Sequence, residues 1–235
     1  MTVSELQALS AAAGLDLDAY SERHVEKRVA RALEREHLTG TAALARLVGA
    51  DRSARERFRR SIAVSVSGLF RDPEQFDVLE HELLPPLLEV GRPLRVWSAG
   101  CADGSELYSV AVLLDRLGAF EGSLLLGSDL LEENLERARQ GRYGETDIDP
   151  SLRAPVRWER RDLVREGAPP GRWDLVLCRN VAIYLAPAAK QALHQSLAAS
   201  LAPGGVLLLG RAERLPSPSQ LGLERAGPHA YRRPA

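Results

Sequence analysis

The residues best placed to do chemistry surround a single glycine turn. Gly100 and Gly104 bracket the turn, Glu106 follows it, and Asp129 ends the next apolar run. Glycines let a ligand approach bare backbone at a helix start, and an acidic residue after the next strand can accept hydrogen bonds from ribose hydroxyls. The spacing is G-x-x-x-G, whereas dinucleotide sites carry G-x-G-x-x-G, so a nucleoside such as S-adenosylmethionine is favoured over a pyrophosphate. The alternative is that the turn only connects a strand to a helix and binds no ligand, as such turns do in many folds.

Two different patterns position this turn along the chain. Residues 1–72 carry helical periodicity, which predicts a small all-helical domain. Residues 73–235 alternate helical stretches with short apolar runs, which predicts an α/β domain with a Rossmann-like, doubly wound, mostly parallel sheet. The predicted helices of this domain are 74–89, 105–117, 131–140 and 187–201, and a turn at 203–205 is expected to separate the last helix from the next strand. The predicted strands are 94–98, 123–128, 156–160, 174–178 and 206–210, with a closing pair near 221–224 and 229–232.

Composition narrows the class of protein. The 235 residues are 45% hydrophobic and 27% charged with a net charge of −1, which gives no reason to expect nucleic acid as a partner. No apolar run approaches the ~20 residues of a membrane-spanning helix, and the amino-terminal segment lacks the pattern of a secretory signal. Cys101 and Cys178 are interpreted as free thiols of a cytoplasmic protein. The histidines form no spaced cluster, so no metal site is predicted.

Four separated blocks of the sequence match the pattern of a known family. Residues 65–72 (SVSGLFRD) are similar to its T-x-F-F-R-D block, and residues 96–109 (VWSAGCADGSELYS) to its W-S-A-G-C-A-x-G-E-E-P-Y-S loop. Residues 127–143 (GSDLLEENLERARQGRY) resemble its second-strand aspartate and the helix that follows. Residues 173–185 (WDLVLCRNVAIYL) resemble its D-x-I-x-C-R-N-V-x-I-Y-F block. The order and intervals agree as well, so nearly the whole chain resembles the CheR-type chemoreceptor glutamate methyltransferases.

The chain departs from the family pattern at several positions. Ser67 stands where the family has threonine and keeps the hydroxyl, Ser65 replaces an asparagine, and Ser105 replaces the glutamate before Glu106. Many members also carry a small antiparallel subdomain that grips a tether at the receptor's carboxyl terminus. Residues 144–155 are predicted to form only a loop at that place, so the tether-binding subdomain is expected to be missing.

The resemblance implies a set of site residues. Arg71 would hold the acidic substrate and contribute to the cofactor's carboxylate, and Tyr184 would orient the target carboxylate, so these two are the catalytic candidates. The alternative for Arg71 is a surface arginine, and the alternative for Tyr184 is a ring that packs under a helix. Asp162 with Leu163 would reach the adenine, although a surface aspartate fits as well. The predicted cofactor-binding residues are Ser65, Ser67, Arg71, Gly100, Glu106, Asp129, Asp162, Leu163, Arg179 and Asn180.

The helical domain carries one further signal. Arg23, Lys27, Arg31 and Arg35 recur at every fourth position and form a basic stripe on one predicted helix. The resemblance implies that this stripe docks an acidic helical region of a chemoreceptor-like protein. A merely solvated face is the alternative. For a second basic cluster at 52–60 the same two interpretations apply. It contributes to the docking surface, or it lies on a solvated helix face.

These observations lead to one functional hypothesis and two alternatives. The hypothesis is methyl transfer from S-adenosylmethionine to glutamate side chains of chemoreceptor-like proteins, with S-adenosylhomocysteine as product. The first alternative is a methyltransferase of the same fold that acts on a different carboxylate or a small molecule. The second is a degenerate signalling module that binds the cofactor or its product without catalysis.

Overall fold

The structure is a computed structural model that describes all residues from Met1 to Ala235. It divides into two compact units. The helical unit comprises Met1–Ser65 together with Tyr184–Gln191, and the α/β unit comprises Val66–Ile183 and Ala192–Ala235. None of the helices combines the length and the apolar character that a membrane span requires.

The helical unit is built from four helices around a small apolar core. Thr2 begins the first helix with a capping box, because its hydroxyl accepts from the Glu5 backbone N–H while the Glu5 carboxylate accepts from the Thr2 backbone N–H. The residues between the first two helices, Leu17–Ala19, form a short 3₁₀ turn that buries Leu17. The four helices are α1 (Val3–Ala13), α2 (Glu22–Arg35), α3 (Thr41–Ala50) and α4 (Arg52–Ile62).

The α/β unit contains a seven-stranded sheet in the order β5-β2-β1-β6-β7-β9-β8. The first five strands of this order are parallel, and β9 and β8 add an antiparallel edge. The predicted doubly wound, mostly parallel sheet is therefore confirmed. A closing pair of strands is present too, but its first strand begins at Glu224, where the prediction had it end. The sheet strands are β1 (Arg95–Ala99), β2 (Leu124–Asp129), β5 (Arg157–Arg160), β6 (Trp173–Cys178), β7 (Leu201–Leu209), β8 (Glu224–Gly227) and β9 (Ala230–Arg232).

The first helical stretch of the α/β unit is not a uniform α-helix. Its middle, Leu79–Leu83, is a π-helical turn, and Pro85 and Pro86 follow after one intervening residue. Proline lacks a backbone N–H and clashes with the preceding turn, so the wider turn before the two prolines has a local cause. The helices of this unit are α5 (Pro73–Val78), α6 (Leu84–Leu88), α7 (Ser105–Arg116), α8 (Glu132–Gln140), α9 (Pro150–Arg153) and α10 (Pro187–Ser200), the last of which begins in the helical unit.

Residues 144–155 differ from the predicted loop. A minimal antiparallel hairpin of β3 (Arg142–Tyr143) and β4 (Thr146–Asp147) leads into this segment, and α9 follows it. The hydroxyl of Tyr143 donates to the backbone oxygen of Asp103 at 2.6 Å, which ties the hairpin to the glycine turn. Strands of two residues are too short to leave a periodic pattern, so the sequence did not reveal them.

The predicted turn at 203–205 is a bulge inside β7. Trp173 pairs with Leu201 and Leu175 pairs with Val206, so the intervening residues of β7 bulge away from β6. Gly204 adopts a φ of 76° and donates its N–H to the Arg233 backbone oxygen at 2.9 Å. The carboxyl-terminal segment therefore holds this bulge, and α10 ends before it at Ser200.

Candidate active site

A cleft opens in the α/β unit where β1 and β6 end. Neighbouring chain connections leave the sheet in opposite directions at this pair of strands, which is where open α/β sheets bind ligands. The cleft and the solvent at its mouth together span about 330 Å³. It is lined by Val66, Ser67, Gly68, Arg71, Gly100, Cys101, Ala102, Ser105, Glu106, Arg179 and Asn180.

The glycine turn forms one wall of the cleft. Gly100 has a φ of 75°, and a Cβ there would lie only 2.6 Å from the Val181 side chain. Gly104 has a φ of 82°, and a Cβ there would lie 2.5 Å from the Trp158 ring. Both positions therefore require glycine for backbone conformation and for space. Gly100 lines the cleft, whereas Gly104 is buried behind it.

Asp129 supports this turn from the end of β2. One carboxylate oxygen accepts from the Ala102 backbone N–H at 2.9 Å, and the other accepts from the Leu131 backbone N–H and the Asn134 amide, both at 2.9 Å. The side chain is buried, and burial raises its pKa although these three donors oppose the change. A carboxylate has about four acceptor positions, so Asp129 retains capacity for one more donor.

Arg179 and Glu106 form a buried ion pair in the cleft wall. Nη1 of Arg179 donates to a Glu106 carboxylate oxygen at 3.1 Å, and the Ser98 hydroxyl donates to the other oxygen at 2.7 Å. The Arg179 guanidinium also donates to the Asp72 carboxylate at 2.8 Å and to the Gln75 side-chain oxygen at 3.0 Å. Arg179 thus joins β6 to α5 and α7. Most of its N–H donors are used in hydrogen bonds within the protein.

Arg71 and Ser67 also line the cleft, from the segment before α5. Arg71 is half-buried and donates from Nη1 to the backbone oxygen of Val66, which leaves the rest of its guanidinium without a protein partner. Its backbone oxygen accepts from Arg179 at 2.7 Å. The two guanidinium groups of the cleft therefore differ. That of Arg179 is used in hydrogen bonds within the protein, whereas that of Arg71 has N–H donors available to a ligand.

Glu213 is a site residue that the sequence did not indicate. Its carboxylate is fully buried and accepts hydrogen bonds from four backbone N–H groups at 2.7–3.1 Å. These donors belong to Asn180, Val181, Ala182 and Gly210. Asn180 has a positive φ of 61°, so Glu213 holds the loop after β6 in an uncommon conformation.

The residues that line this cleft do not include all of the predicted site residues. Ser65 and Tyr184 belong to the helical unit. Asp162 accepts from the Val164 backbone N–H at 3.1 Å and caps a turn, while Leu163 lies 3.8 Å from where a Cβ on Gly100 would stand. Leu163 is thus a neighbour of the glycine turn, and Asp162 has at least a structural role.

Tyr184 packs within the helical unit. Its ring centroid lies 4.9 Å from that of His24, and the Tyr20 ring stacks on the same histidine at 5.8 Å. The Tyr184 backbone oxygen accepts from the Ser21 backbone N–H at 2.9 Å. The ring therefore packs on His24 of α2, and the role of its hydroxyl stays a prediction.

The basic stripe lies on the exposed side of α2. Val25 and Val29 are buried, whereas Arg23, Lys27 and Arg31 are exposed and form no ion pair. Arg35 differs, because its Nε donates to the Glu36 carboxylate at 2.9 Å. Several arginines of the 52–60 cluster also have protein partners; Arg57 binds the Glu36 carboxylate, and Arg55 donates to α3 carbonyls.

The two cysteines are buried free thiols, as predicted. Burial raises the pKa of both thiols well above the usual value, and the nearby Asp129 carboxylate adds to the effect at Cys101. The neutral thiol is a poor nucleophile, so Cys101 lines the cleft as a small apolar side chain.

The family follows from comparison with known proteins. A family model described as "CheR methyltransferase, SAM binding domain" matches residues 65–150 and 144–226. The chain belongs to this family. The chemotaxis protein methyltransferase of Listeria innocua is 33% identical over 89% of this chain and 88% of its own length. Chemotaxis protein methyltransferase 1 of Pseudomonas aeruginosa is 27% identical over 86% of this chain and 85% of its own.

The protein is an S-adenosylmethionine-dependent methyltransferase of the CheR chemotaxis family, which confirms the predicted cofactor. The cleft fits this group, since the side-chain-free wall at Gly100 and the available donors of Arg71 face the same space. Among solved structures, a TehB-like S-adenosylmethionine-dependent methyltransferase of Corynebacterium glutamicum has a TM-score of 0.43 and 16% identity, covering 68% of this chain and 92% of that chain.

Proposed function

We propose that the protein transfers the methyl group of S-adenosylmethionine to glutamate side chains of chemoreceptor-like proteins in the cytoplasm. Two relatives of nearly the same length are named chemotaxis protein methyltransferase, which supports a receptor as acceptor. Within this proposal the helical unit docks the acceptor and the α/β unit carries out the transfer.

The chemistry of the cleft suits a carboxylate nucleophile. The cofactor supplies a methyl group on a positively charged sulfur, and the acceptor oxygen displaces that sulfur in line. A glutamate has a pKa of about 4.3 and arrives already ionised at neutral pH, so no group has to remove a proton. Glu106 is committed to Arg179 and Ser98, and Cys101 is a neutral thiol. The cleft thus provides alignment and partial exclusion of water.

The observation that carries the proposal is the guanidinium of Arg71. It lines the cleft beside the glycine turn with most of its donors available. A planar guanidinium binds a carboxylate through two parallel hydrogen bonds, which fixes the direction of the oxygen lone pairs. We assign Arg71 to the acceptor carboxylate, with a contribution to the carboxylate of the cofactor.

The remaining cleft residues are assigned to the cofactor. The bare backbone at Gly100, the free acceptor position of Asp129 and the Asn180 side chain would hold the nucleoside. Ser67, which also lines the cleft, would add a hydroxyl. Tyr184 would orient the acceptor carboxylate through its hydroxyl.

Transfer of tritiated methyl groups tests the proposal. The purified protein is incubated with labelled S-adenosylmethionine and the cytoplasmic domain of a chemoreceptor from the same organism. We expect label that dilute base releases as methanol, because carboxyl methyl esters hydrolyse in base and methylated amines do not. A receptor domain with glutamine at its acceptor glutamates is the control.

Each contrary outcome favours one of the alternatives. Base-stable label would assign the enzyme to a different acceptor group. Absence of transfer from a protein that still binds S-adenosylhomocysteine in calorimetry would favour the signalling module.

A further inference from the structure

The helical unit carries an apolar groove that methyl transfer does not use. The groove and the solvent above it together span about 800 Å³. It runs between the start of α1, the 3₁₀ turn and the first half of α2. It is lined by Met1, Thr2, Val3, Leu6, Leu17, Asp18, Tyr20, Glu22, Val25, Glu26 and Ala186.

The floor of the groove is apolar. Leu17 and Val25 belong to the buried core of the helical unit, and Leu6 is half-buried. Val3 is 72% exposed and Met1 is 48% exposed, so both present apolar surface to solvent at one end. Exposed apolar side chains that adjoin a concave surface are a feature of protein-binding sites.

The rim of the groove is acidic. Asp18, Glu22 and Glu26 are exposed, and none of them forms an ion pair. Glu22 and Glu26 are one turn apart on α2, which places their Cβ atoms about 6 Å apart. The basic stripe of Arg23, Lys27 and Arg31 follows the adjoining exposed face of the same helix.

We propose that this groove binds a cationic amphipathic helix of a second partner protein, distinct from the acidic methyl acceptor. An apolar helix face fills the groove, and lysines or arginines spaced one turn apart meet Glu22 and Glu26. The acidic rim disfavours phosphate groups inside the groove itself, so a cationic occupant is favoured there over a nucleic acid or an anionic membrane. This inference concerns a different surface from the proposed acceptor site and does not depend on the identity of that acceptor.

A synthetic helix tests the proposal directly. The probe is a fluorescein-labelled 18-residue peptide of leucine, lysine and alanine with its leucines on one helical face, and its binding to the full chain is followed by fluorescence anisotropy. We expect the triple variant Asp18→Asn, Glu22→Gln, Glu26→Gln to bind about tenfold more weakly, since exposed ion pairs contribute up to about 1 kcal/mol each. Leu6→Ala should also weaken binding.

Two controls separate recognition from non-specific attraction. A scrambled peptide of the same composition and charge should bind about tenfold more weakly, because it lacks a continuous apolar face. The matched protein control is Glu34→Gln, Glu121→Gln, Glu145→Gln, which removes three exposed carboxylates elsewhere. It should change the affinity less than about twofold.

Three results would overturn the proposal. The first is equal binding of the scrambled peptide, and the second is equal weakening by both triple variants. The third is a dimer of the chain in light scattering that dissociates in the groove variant, because the occupant would then be a second copy. At saturating acceptor, the kcat of the groove variant for methyl transfer should equal that of the wild type.

Discussion

The carboxylate of Glu213 accepts a hydrogen bond from the Asn180 backbone N–H at 2.7 Å, although 32 residues separate the two in the sequence. The same carboxylate binds the next two backbone N–H groups, so one buried side chain sets the path of the loop after β6. Asn180 lines the cleft in a left-handed conformation. Glu213 therefore shapes the cofactor site without facing it.

Replacement of Glu213 should weaken cofactor binding. Glu213→Gln places an amide NH₂ against backbone donors, which should destabilise the fold by about 1–3 kcal/mol and weaken S-adenosylhomocysteine binding about tenfold. Urea unfolding and calorimetric titration measure the two effects. Glu224→Gln, at an exposed position of β8, is the matched control and should change neither quantity. Unchanged nucleoside affinity in a folded Glu213→Gln protein would limit Glu213 to a structural role.

The contrast between Glu213 and the strands shows what sequence alone can predict. Continuous apolar runs such as DLVLC report burial on both faces of a sheet, and the strand at 174–178 was located to within one residue. Glu213 lies in a polar stretch of the sequence. It belongs to no periodic pattern, and no residue at a characteristic spacing marks it as part of a motif. Its role depends on which backbone N–H groups the fold places around its carboxylate. The neighbouring residues in the sequence do not reveal those groups.

The same reasoning applies to Arg179. The motif at 173–185 located it correctly at the end of a strand, and the structure places it in the cleft wall. Its partners Asp72, Gln75 and Glu106 come from two other helical segments. A motif therefore locates a residue, whereas the packing of distant elements decides how much of its hydrogen-bonding capacity remains for a ligand.

Loss of the Asp129 carboxylate should weaken binding of both nucleosides. Asp129→Ala removes the acceptor for the Ala102 and Asn134 donors as well as the position assigned to ribose. We expect a loss of roughly 1.5–3 kcal/mol in binding free energy, the scale of a charge-assisted hydrogen bond. Calorimetry with S-adenosylmethionine and S-adenosylhomocysteine measures it. Asp147→Ala, at an exposed position of β4, is the control, and equal affinities of the two variants would contradict the assignment.

Arg71 and Tyr184 should affect transfer more than binding. Arg71→Ala is expected to lower kcat about a hundredfold, because a charged donor at the reacting carboxylate is lost. Tyr184→Phe should lower kcat while it keeps the ring that packs on His24. Initial rates with the receptor domain are compared with calorimetric affinities for S-adenosylhomocysteine. Arg157→Ala, on the exposed edge of the sheet, is the control; full activity of both site variants would show that the catalytic assignment is wrong.

Acidification should destabilise the protein through His24. Burial lowers the pKa of this imidazole, Arg28 and Lys27 add to the effect, and its Nε2 lies 2.9 Å from the Ile62 backbone oxygen. An unfolded histidine has a pKa of about 6.5. Between the lowered pKa and that value the unfolded chain binds more protons, so the free energy of unfolding falls as the pH falls through this window.

A glutamine substitution isolates this contribution. His24→Gln keeps an N–H donor for Ile62 and removes the titrating group, so its stability should fall less between pH 7.5 and 5.5 than that of the wild type. Urea unfolding at the two pH values measures the difference. His81→Gln, at an exposed position, should follow the wild-type dependence. Identical pH dependence in all three proteins would remove His24 as the cause.

Charge reversal on α2 should affect acceptor recognition alone. Lys27 and Arg31 are exposed and unpaired, so an acidic helix can approach them without breaking an existing ion pair. Lys27→Glu with Arg31→Glu should raise the KM for the receptor domain about tenfold at low salt and leave S-adenosylhomocysteine affinity unchanged.

Because exposed charges are screened over a Debye length of about 8 Å in physiological salt, the wild-type rate should also fall as salt is raised. The control reverses Arg157 and Arg225, two exposed arginines of the sheet edges, with the same change in net charge. Rates that do not respond to salt, or equal KM values for both reversals, would show that the stripe is a solvated face and that another surface recruits the acceptor.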